Sequence, residues 1–258
     1  MSLVTEQLFI AGYKKNGQVF KKRLEKYCDN DNEKNIHDIR TSIRRLNSSY
    51  NLLSKKMKNK PTICSYMRFS KILFKYNSEV RDVDIISQHL KQYENKESNK
   101  LQAYLRRKRE KKLKSAIDLA LQLKKLKLPE IDGKFLSTKK IQSKFAKEKE
   151  KLQRSIVKDV PDVFLDPKKI EELHELRKNS KKLRYLLELL PKQESLPRLI
   201  KMQDKLGSIH DFDITITFLK CCEQNSTVQR LIRSEAQKRD KEFQESCEIM
   251  IPIIESIS

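Results

Sequence analysis

Tryptophan is missing altogether, and the 258 residues hold only four glycines and seven prolines. So little turn-forming material leaves few places for the tight hairpins of antiparallel sheets, and the reading is an all-α chain. No stretch approaches the ~18 apolar residues of a membrane-spanning helix, and no charged segment followed by an apolar core opens the chain. The expectation is a protein neither secreted nor membrane-inserted, and therefore cytoplasmic. The five cysteines, Cys28, Cys64, Cys221, Cys222 and Cys247, are odd in number and lack C-x-x-C spacing. Reduced, mostly buried thiols fit that usage better than a disulfide framework. A glycine-rich phosphate loop, an acidic metal cluster beside the cations and a nucleophile–base pair are all missing too. Their absence argues against a phosphohydrolase or phosphotransferase, so neither enzyme nor cofactor is expected.

Charge is what the chain has in excess. Lys and Arg number 57 against 35 Asp and Glu, a net charge of +22. An imbalance of that size costs self-repulsion and points to a polyanionic partner: nucleic acid, an anionic membrane or a phosphate polymer. A Lys-rich composition can also be basic for no specific purpose, so the placement of the charges has to decide. Only 37% of residues are hydrophobic, yet they recur with helical period, which argues for folded amphipathic helices rather than disorder. A chain this long can bury roughly 70% or more of its unfolded surface.

One stretch occurs twice. Ile36-His37-Asp38-Ile39-Arg40 through Leu46 returns as Leu173-His174-Glu175-Leu176-Arg177 through Leu183. At helical spacing Ile36, Ile39, Ile43, Leu46, Tyr50 and Leu53 form an apolar stripe. Leu173, Leu176, Ser180, Leu183, Leu187 and Leu190 form its counterpart. One residue further round each helix lies a second row: His37, Arg40, Arg44 and Asn47 in one copy, His174, Arg177, Lys181 and Arg184 in the other. A cationic row is ordinarily a solvated face. Against that, the row recurs at matched positions, each copy includes one of only four histidines, and neither carries the i,i+4 carboxylates that neutralise an ordinary surface helix. Arg and Lys occupy the places where further metal ligands would be needed. The rows read as two halves of one anion site.

Taken in order, a first helix from about Thr5 to Tyr27 presents Phe9, Tyr13, Phe20, Leu24 and Tyr27. Lys14 and Lys21 share a face with Ile10, Gly17 and Leu24, which would turn them inward. Asp31 or Asn32 caps the His37 helix, which extends to about Lys58. A third helix runs from about Thr62 to Tyr76 and breaks at Asn77-Ser78. Val80-Arg81-Asp82-Val83-Asp84 then matches Ile209-His210-Asp211-Phe212-Asp213. That segment invites a metal reading, but Arg81 stands where His210 would repeat. Capping a helix start, or pairing with cations of neighbouring helices, suits its carboxylates better. From about Asn95 to Lys127 a basic helix carries Leu101, Leu105, Lys108, Lys112, Ala116, Leu119, Leu123 and Leu126 in one stripe. Its two lysines are either buried against anions or wet at an overhanging end. Pro129 to Gly133 reads as the linker between a half of about 1–128 and a half of about 134–258. In the second half Ile141, Phe145, Leu152 and Ile156 repeat the first helix's pattern over about Ser137 to Val157. Asp166 is placed as N-cap and Pro167 as first residue of the His174 helix, which ends near Leu190. A last helix starts near Val228 and is broken at Pro252.

These residues resemble the CHAD family, the α-helical domains named for their histidines. The likeness rests on His37-x-x-Arg40-x-x-x-Arg44-Arg45-Leu46, His174-x-x-Arg177-x-x-x-Lys181-Lys182-Leu183-Arg184-Tyr185, Arg81-Asp82-x-Asp84, and Gln203-Asp204-x-Leu206-Gly207 with Asp211-x-Asp213. The segment from Leu101 to Lys112 is similar to the family's mid-chain basic helix. The resemblance implies one domain of two pseudo-symmetric helical bundles packed about a basic central cleft or pore that binds inorganic polyphosphate without catalysis. Asn47 against Arg184, Thr41 against Lys178 and His210 against Arg81 make the half-sites unequal, with the Arg184 side expected to bind more strongly.

The expected polyphosphate-binding set is therefore His37, Arg40, Arg44, Arg45, His174, Arg177, Lys178, Lys181, Lys182 and Arg184, with Lys14, Lys21, Lys108 and Lys112 beside them. No catalytic or metal-binding residue is expected. Nucleic acid is the alternative partner, bound more weakly, because single-strand binders interleave aromatics with cations and Tyr50 and Tyr185 are accounted for by core packing. Polyphosphate granules are the expected association inside the cell.

Overall fold

Thr5 opens the first helix by accepting the Leu8 amide on its hydroxyl, and Asn32 opens the second by accepting the Asn35 amide. The computed structural model describes residues 4–133, 136–191 and 193–255, apart from side chains at 159–162, 164–165 and 251–255. Over those residues the regular structure is nine helices and no strand. They are α1 Glu6–Asp29, α2 Glu33–Leu52, α3 Lys55–Lys58, α4 Pro61–Leu90, α5 Lys96–Lys124, α6 Thr138–Leu165, α7 Ile170–Leu187, α8 Leu196–Lys220 and α9 Ser226–Glu255. The apolar stripes form the core as their period requires: Phe9, Phe20, Ile36, Ile39, Ile43, Leu46, Leu105, Leu176 and Leu183 are all at most 1% exposed.

Several element boundaries differ from the sequence expectation, each for a local reason. The second helix stops at Leu52, where Leu53 turns extended and Lys144 of α6 donates to its carbonyl; Ser54 then caps the separate α3. Asn77-Ser78 does not break α4. Asn77 is fully buried and accepts the Tyr27 hydroxyl at 2.8 Å, while Ser78 bonds back to the Phe74 carbonyl. The Asn77 Oδ1 and the Ser78 hydroxyl, the groups that would compete for the local backbone, are thus engaged without opening the helix. Helix α6 continues past Val157 to Leu165, and α9 continues through Pro252 to Glu255. Asp166 caps nothing: it bonds the Lys168 amide in the turn, and α7 starts at Ile170 with no side-chain cap. The cysteines are not buried either, since Cys64 and Cys221 are exposed and the others half-buried. The apolar run from Ile251 to Ile254 has its side chains outside the described residues.

The chain divides into two compact units that interleave in sequence. Unit 1 takes Met1–Asp84, Ala103–Ala146 and Leu189–Pro191; unit 2 takes Ile85–Gln102, Lys147–Glu188 and Lys192–Ser258. The Pro129–Gly133 connection thus lies within unit 1, where the Pro129 carbonyl accepts the buried Tyr13 hydroxyl at 2.7 Å. In unit 1 α1 packs along α2, and Phe20 meets Tyr66 edge to face. In unit 2 α8 lies against both α7 and α9.

Candidate anion-binding rows

In unit 1 the row on α2 is held from both sides. Arg23 of α1 donates to the Asp38 carbonyl and the Ser42 hydroxyl, fixing the rotation of α2. Ile36, Ile39 and Ile43 are then sealed in the core, while Arg40, Arg44, Arg45 and Asn47 emerge half-buried and His37 exposed. Phe74 of α4 lies under the arginines, with the Arg44 guanidinium 4.9 Å and the Arg40 guanidinium 5.6 Å from its ring centroid. Stacking orients a guanidinium without using its in-plane N–H groups, which are the ones that recognise phosphate. His37 is held below the ordinary imidazole pKa, first by desolvation and then by the charge of Arg40, with Arg81 and Arg44 adding and Asp38 opposing. Arg81, from α4, therefore contributes to the field over this row while lying 3.6 Å from Glu33.

In unit 2 the row on α7 follows the same face. Leu173, Leu176 and Leu183 are buried, and Ser180 fills the remaining place by donating to the Leu176 carbonyl at 2.8 Å. His174, Arg177, Lys181 and Arg184 are half-buried. Arg184 is engaged twice, by Glu188 at 2.9 Å and by Gln203 of α8 at 3.1 Å, and Gln203 is itself anchored to the Ser180 carbonyl. Glu188 is an i,i+4 carboxylate, which corrects the expectation of none on this row. His174 is also held below its ordinary pKa, by desolvation and then by Lys178, Arg177 and Lys181, with Glu175 opposing. Its Nδ1 lies 3.4 Å from Nδ1 of His210 on α8.

The matched Asp-x-Asp segments make ion pairs and sit within helices, so they cap none. Arg109 of α5 donates to Asp84 at 2.6 Å, and Arg239 of α9 donates to Asp213 at 2.5 Å. Among the described residues no three His, Cys, Asp or Glu side chains gather to hold a metal, and no helix is long and apolar enough to cross a membrane.

The CHAD domain profile matches residues 14–220, a span that includes both rows and both Asp-x-Asp segments. The chain belongs to the CHAD domain family. Its fold is similar to the crystal structure of the CHAD domain from the plant Ricinus communis, with a TM-score of 0.62 and 16% identity over 99% of this chain and 90% of that one. At that identity the likeness carries the fold alone. No curated protein matches the chain.

The other expected site residues of this CHAD domain fall elsewhere. Lys178 and Lys182 are exposed on α7 and engaged locally, with Glu175 at 2.6 Å and Asn179 at 3.4 Å. Lys14 and Lys21 do not turn inward: both are exposed, because α1 buries Phe9, Tyr13, Gly17, Phe20, Leu24 and Tyr27 and the lysines lie a step beyond that arc. Lys108 is exposed, 5.9 Å from the Tyr104 ring, as the wet alternative has it, whereas Lys112 is half-buried and pairs with Glu79 at 2.5 Å. Leu126, past the end of α5, is exposed rather than part of a buried stripe. Leu113 takes the buried place beside Ala116. Phe74, Gln203 and the contact of His210 with His174 were missed as site features. The only sequence signal for His210 was its place opposite Arg81 in the repeat.

Proposed function

We propose that this CHAD domain binds inorganic polyphosphate through the α2 and α7 rows and catalyses no reaction there. The family is linked to polyphosphate binding, and the chemistry agrees. A phosphate polymer carries charge on nearly every unit and no bases, so its receptor needs guanidinium forks, ammonium groups and imidazole donors but few stacking platforms. The observation that carries the reading is that in both units a histidine stands among cations of its own helix. The Arg40 and Arg44 guanidiniums are stacked over Phe74 in one, and Arg177, Lys178 and Lys181 stand about His174 in the other; desolvation first and these charges second hold each imidazole down. Positive charge gathered along each row favours a polyanionic ligand there. The row residues Arg40, Arg44, His37, His174, Arg177, Lys181 and Arg184, with Arg45 beside them, are the direct contacts; Lys14, Lys21, Lys108, Lys112, Lys178 and Lys182 contribute long-range attraction. A cytoplasmic setting and association with polyphosphate granules go with this reading.

Nucleic acid is the second reading, and one feature favours it. Tyr104 is 51% exposed on α5 beside Arg106, Arg107 and Lys108, the mix of ring and cation that single strands use. Competition separates the two. Both ligands respond to salt through counterion release, so salt sensitivity decides nothing. At physiological salt, polyphosphate should displace single-stranded DNA or RNA at far lower phosphate concentration than the reverse. Equal competition would make the rows a general polyanion surface.

A further inference from the structure

We propose that His210 is a further phosphate-binding residue, forming with His174 a two-histidine clamp that takes up a proton when a phosphate oxygen enters it. The proposal rests on the polyphosphate reading above and adds a residue and a proton balance to it. The two rings face each other from α7 and α8 with centroids 4.7 Å apart, planes inclined by 43°, and Nδ1 atoms 3.4 Å apart. At that separation one proton serves both rings: one Nδ1–H donates and the other Nδ1 accepts. A second proton would set two N–H groups head to head, so the pair titrates as a unit.

Desolvation first, and then the neighbouring charges, hold the His174 member of the pair below its ordinary pKa. From α7, Arg177, Lys178 and Lys181 face His174 and only Glu175 opposes them. From α8 come Asp211, next to His210 in sequence, and Asp213, whose carboxylate interacts with His174 but is occupied by Arg239 of α9, with Asp240 beyond it. A phosphate oxygen reverses this balance. Acting as acceptor for both Nδ1–H groups at about 2.7–2.9 Å each, it would part the rings by about 1 Å and offset the second proton's charge. The non-bridging oxygens of an internal polyphosphate unit present such lone pairs. Unit 1 has no equivalent, because the matched residue is Arg81, a permanent cation.

The test uses the full chain and long-chain inorganic polyphosphate. Calorimetric titration at pH 7 in buffers of different ionisation enthalpy counts the protons taken up. His210→Arg, which places the repeat's arginine there, should take up about one proton fewer than the wild type, and its affinity should vary about tenfold less between pH 8 and pH 6. His210→Asn should lose about tenfold in affinity at pH 6. Ring nitrogen spectra of the unmodified protein supply a readout independent of the variants: on binding, the His174–His210 pair should gain one imidazolium, with both Nδ1 atoms protonated. An unchanged proton count in His210→Arg, or a His174–His210 pair that gains no imidazolium on binding, overturns the clamp while polyphosphate binding stands. A wild type that shows no affinity for polyphosphate overturns the function and the clamp together.

Discussion

Arg239 on α9 donates from Nε to Oδ1 of Asp213 on α8 at 2.5 Å, with both side chains under 10% exposed. Arg109 and Asp84 repeat the arrangement with the same atoms at 2.6 Å, but there the arginine is 27% exposed. Burial raises the pKa of both aspartates despite the guanidinium, so desolvation outweighs the pairing at each carboxyl. The Asp-x-Asp segments thus act as ties between helices.

A buried pair costs most when it is broken from one side. Arg239→Ala should destabilise the fold by about 3–5 kcal/mol, read from the denaturant midpoint at constant slope. Arg109→Ala should cost clearly less, because water reaches its side of the pair. Arg239→Met with Asp213→Leu should recover most of the loss. Equal costs at the two sites would mean that solvent access does not set the penalty.

The rows, rather than bulk charge, should set affinity. Charge-assisted contacts are each worth about 1.5–3 kcal/mol, so Arg44→Ala with Lys181→Ala should weaken polyphosphate binding by about two to four orders of magnitude. Lys147→Ala with Lys151→Ala removes the same charge from exposed positions on α6. That variant should lose far less. Similar losses from both pairs would reduce the rows to unspecific electrostatics.

The histidines give binding a definite pH dependence. His37 and His174 lie below the ordinary 6.5 in the free protein, and a bound polyanion raises them. The complex then holds more protons than the free chain, so affinity climbs as pH falls through the raised bound value. It levels only below the depressed free value. Titrations should therefore span pH 8 to 5 and keep gaining on the acid side of 6.5. A flat profile, or one unchanged with both histidines replaced by alanine, would leave the rings with packing roles.

Stability of the unbound protein should run the other way. A folded imidazole pKa below the unfolded value means that the unfolded chain takes up more protons, so stability falls as pH drops through about 6.5. Glu235 adds a second loss further down. Its fully buried carboxylate accepts from His89 at 2.6 Å, Tyr93 at 2.6 Å and Gln92 at 3.0 Å. Burial pushes that carboxyl up, but these partners and Lys238 together hold it below its usual value. Its contribution is complete above the usual carboxylate range and is lost as pH falls through the lowered folded value. Glu235→Gln should flatten the acid limb of a thermal-melt series, and Glu235→Ala should cost about 1–3 kcal/mol for each of the half-buried donors His89 and Tyr93 left without an acceptor, while the exposed Gln92 turns to water.

Scarce glycine and proline together with a helical period determined the all-α class, and period alone the buried stripes of α1, α2 and α7, part of that of α5, and the cationic rows one step round from two of them. A helix face is a local property: residues three and four apart share it whatever the neighbours do. The rotation of α2 and α7 was therefore legible before any packing was known. Tertiary structure decided what local pattern leaves open. Asn77 looked like a break because its side chain competes with the backbone, and only Tyr27, fifty residues earlier, removes that competition. Lys108 and Lys112 filled a stripe on paper, but where that stripe meets a neighbour is set by packing, and Leu113 is the residue buried there. The partners of Asp84 and Asp213 stand 25 and 26 residues downstream on other helices. His210 meets His174 only because α8 returns along α7. Such pairings join residues far apart in the chain, and no periodicity within one helix encodes them.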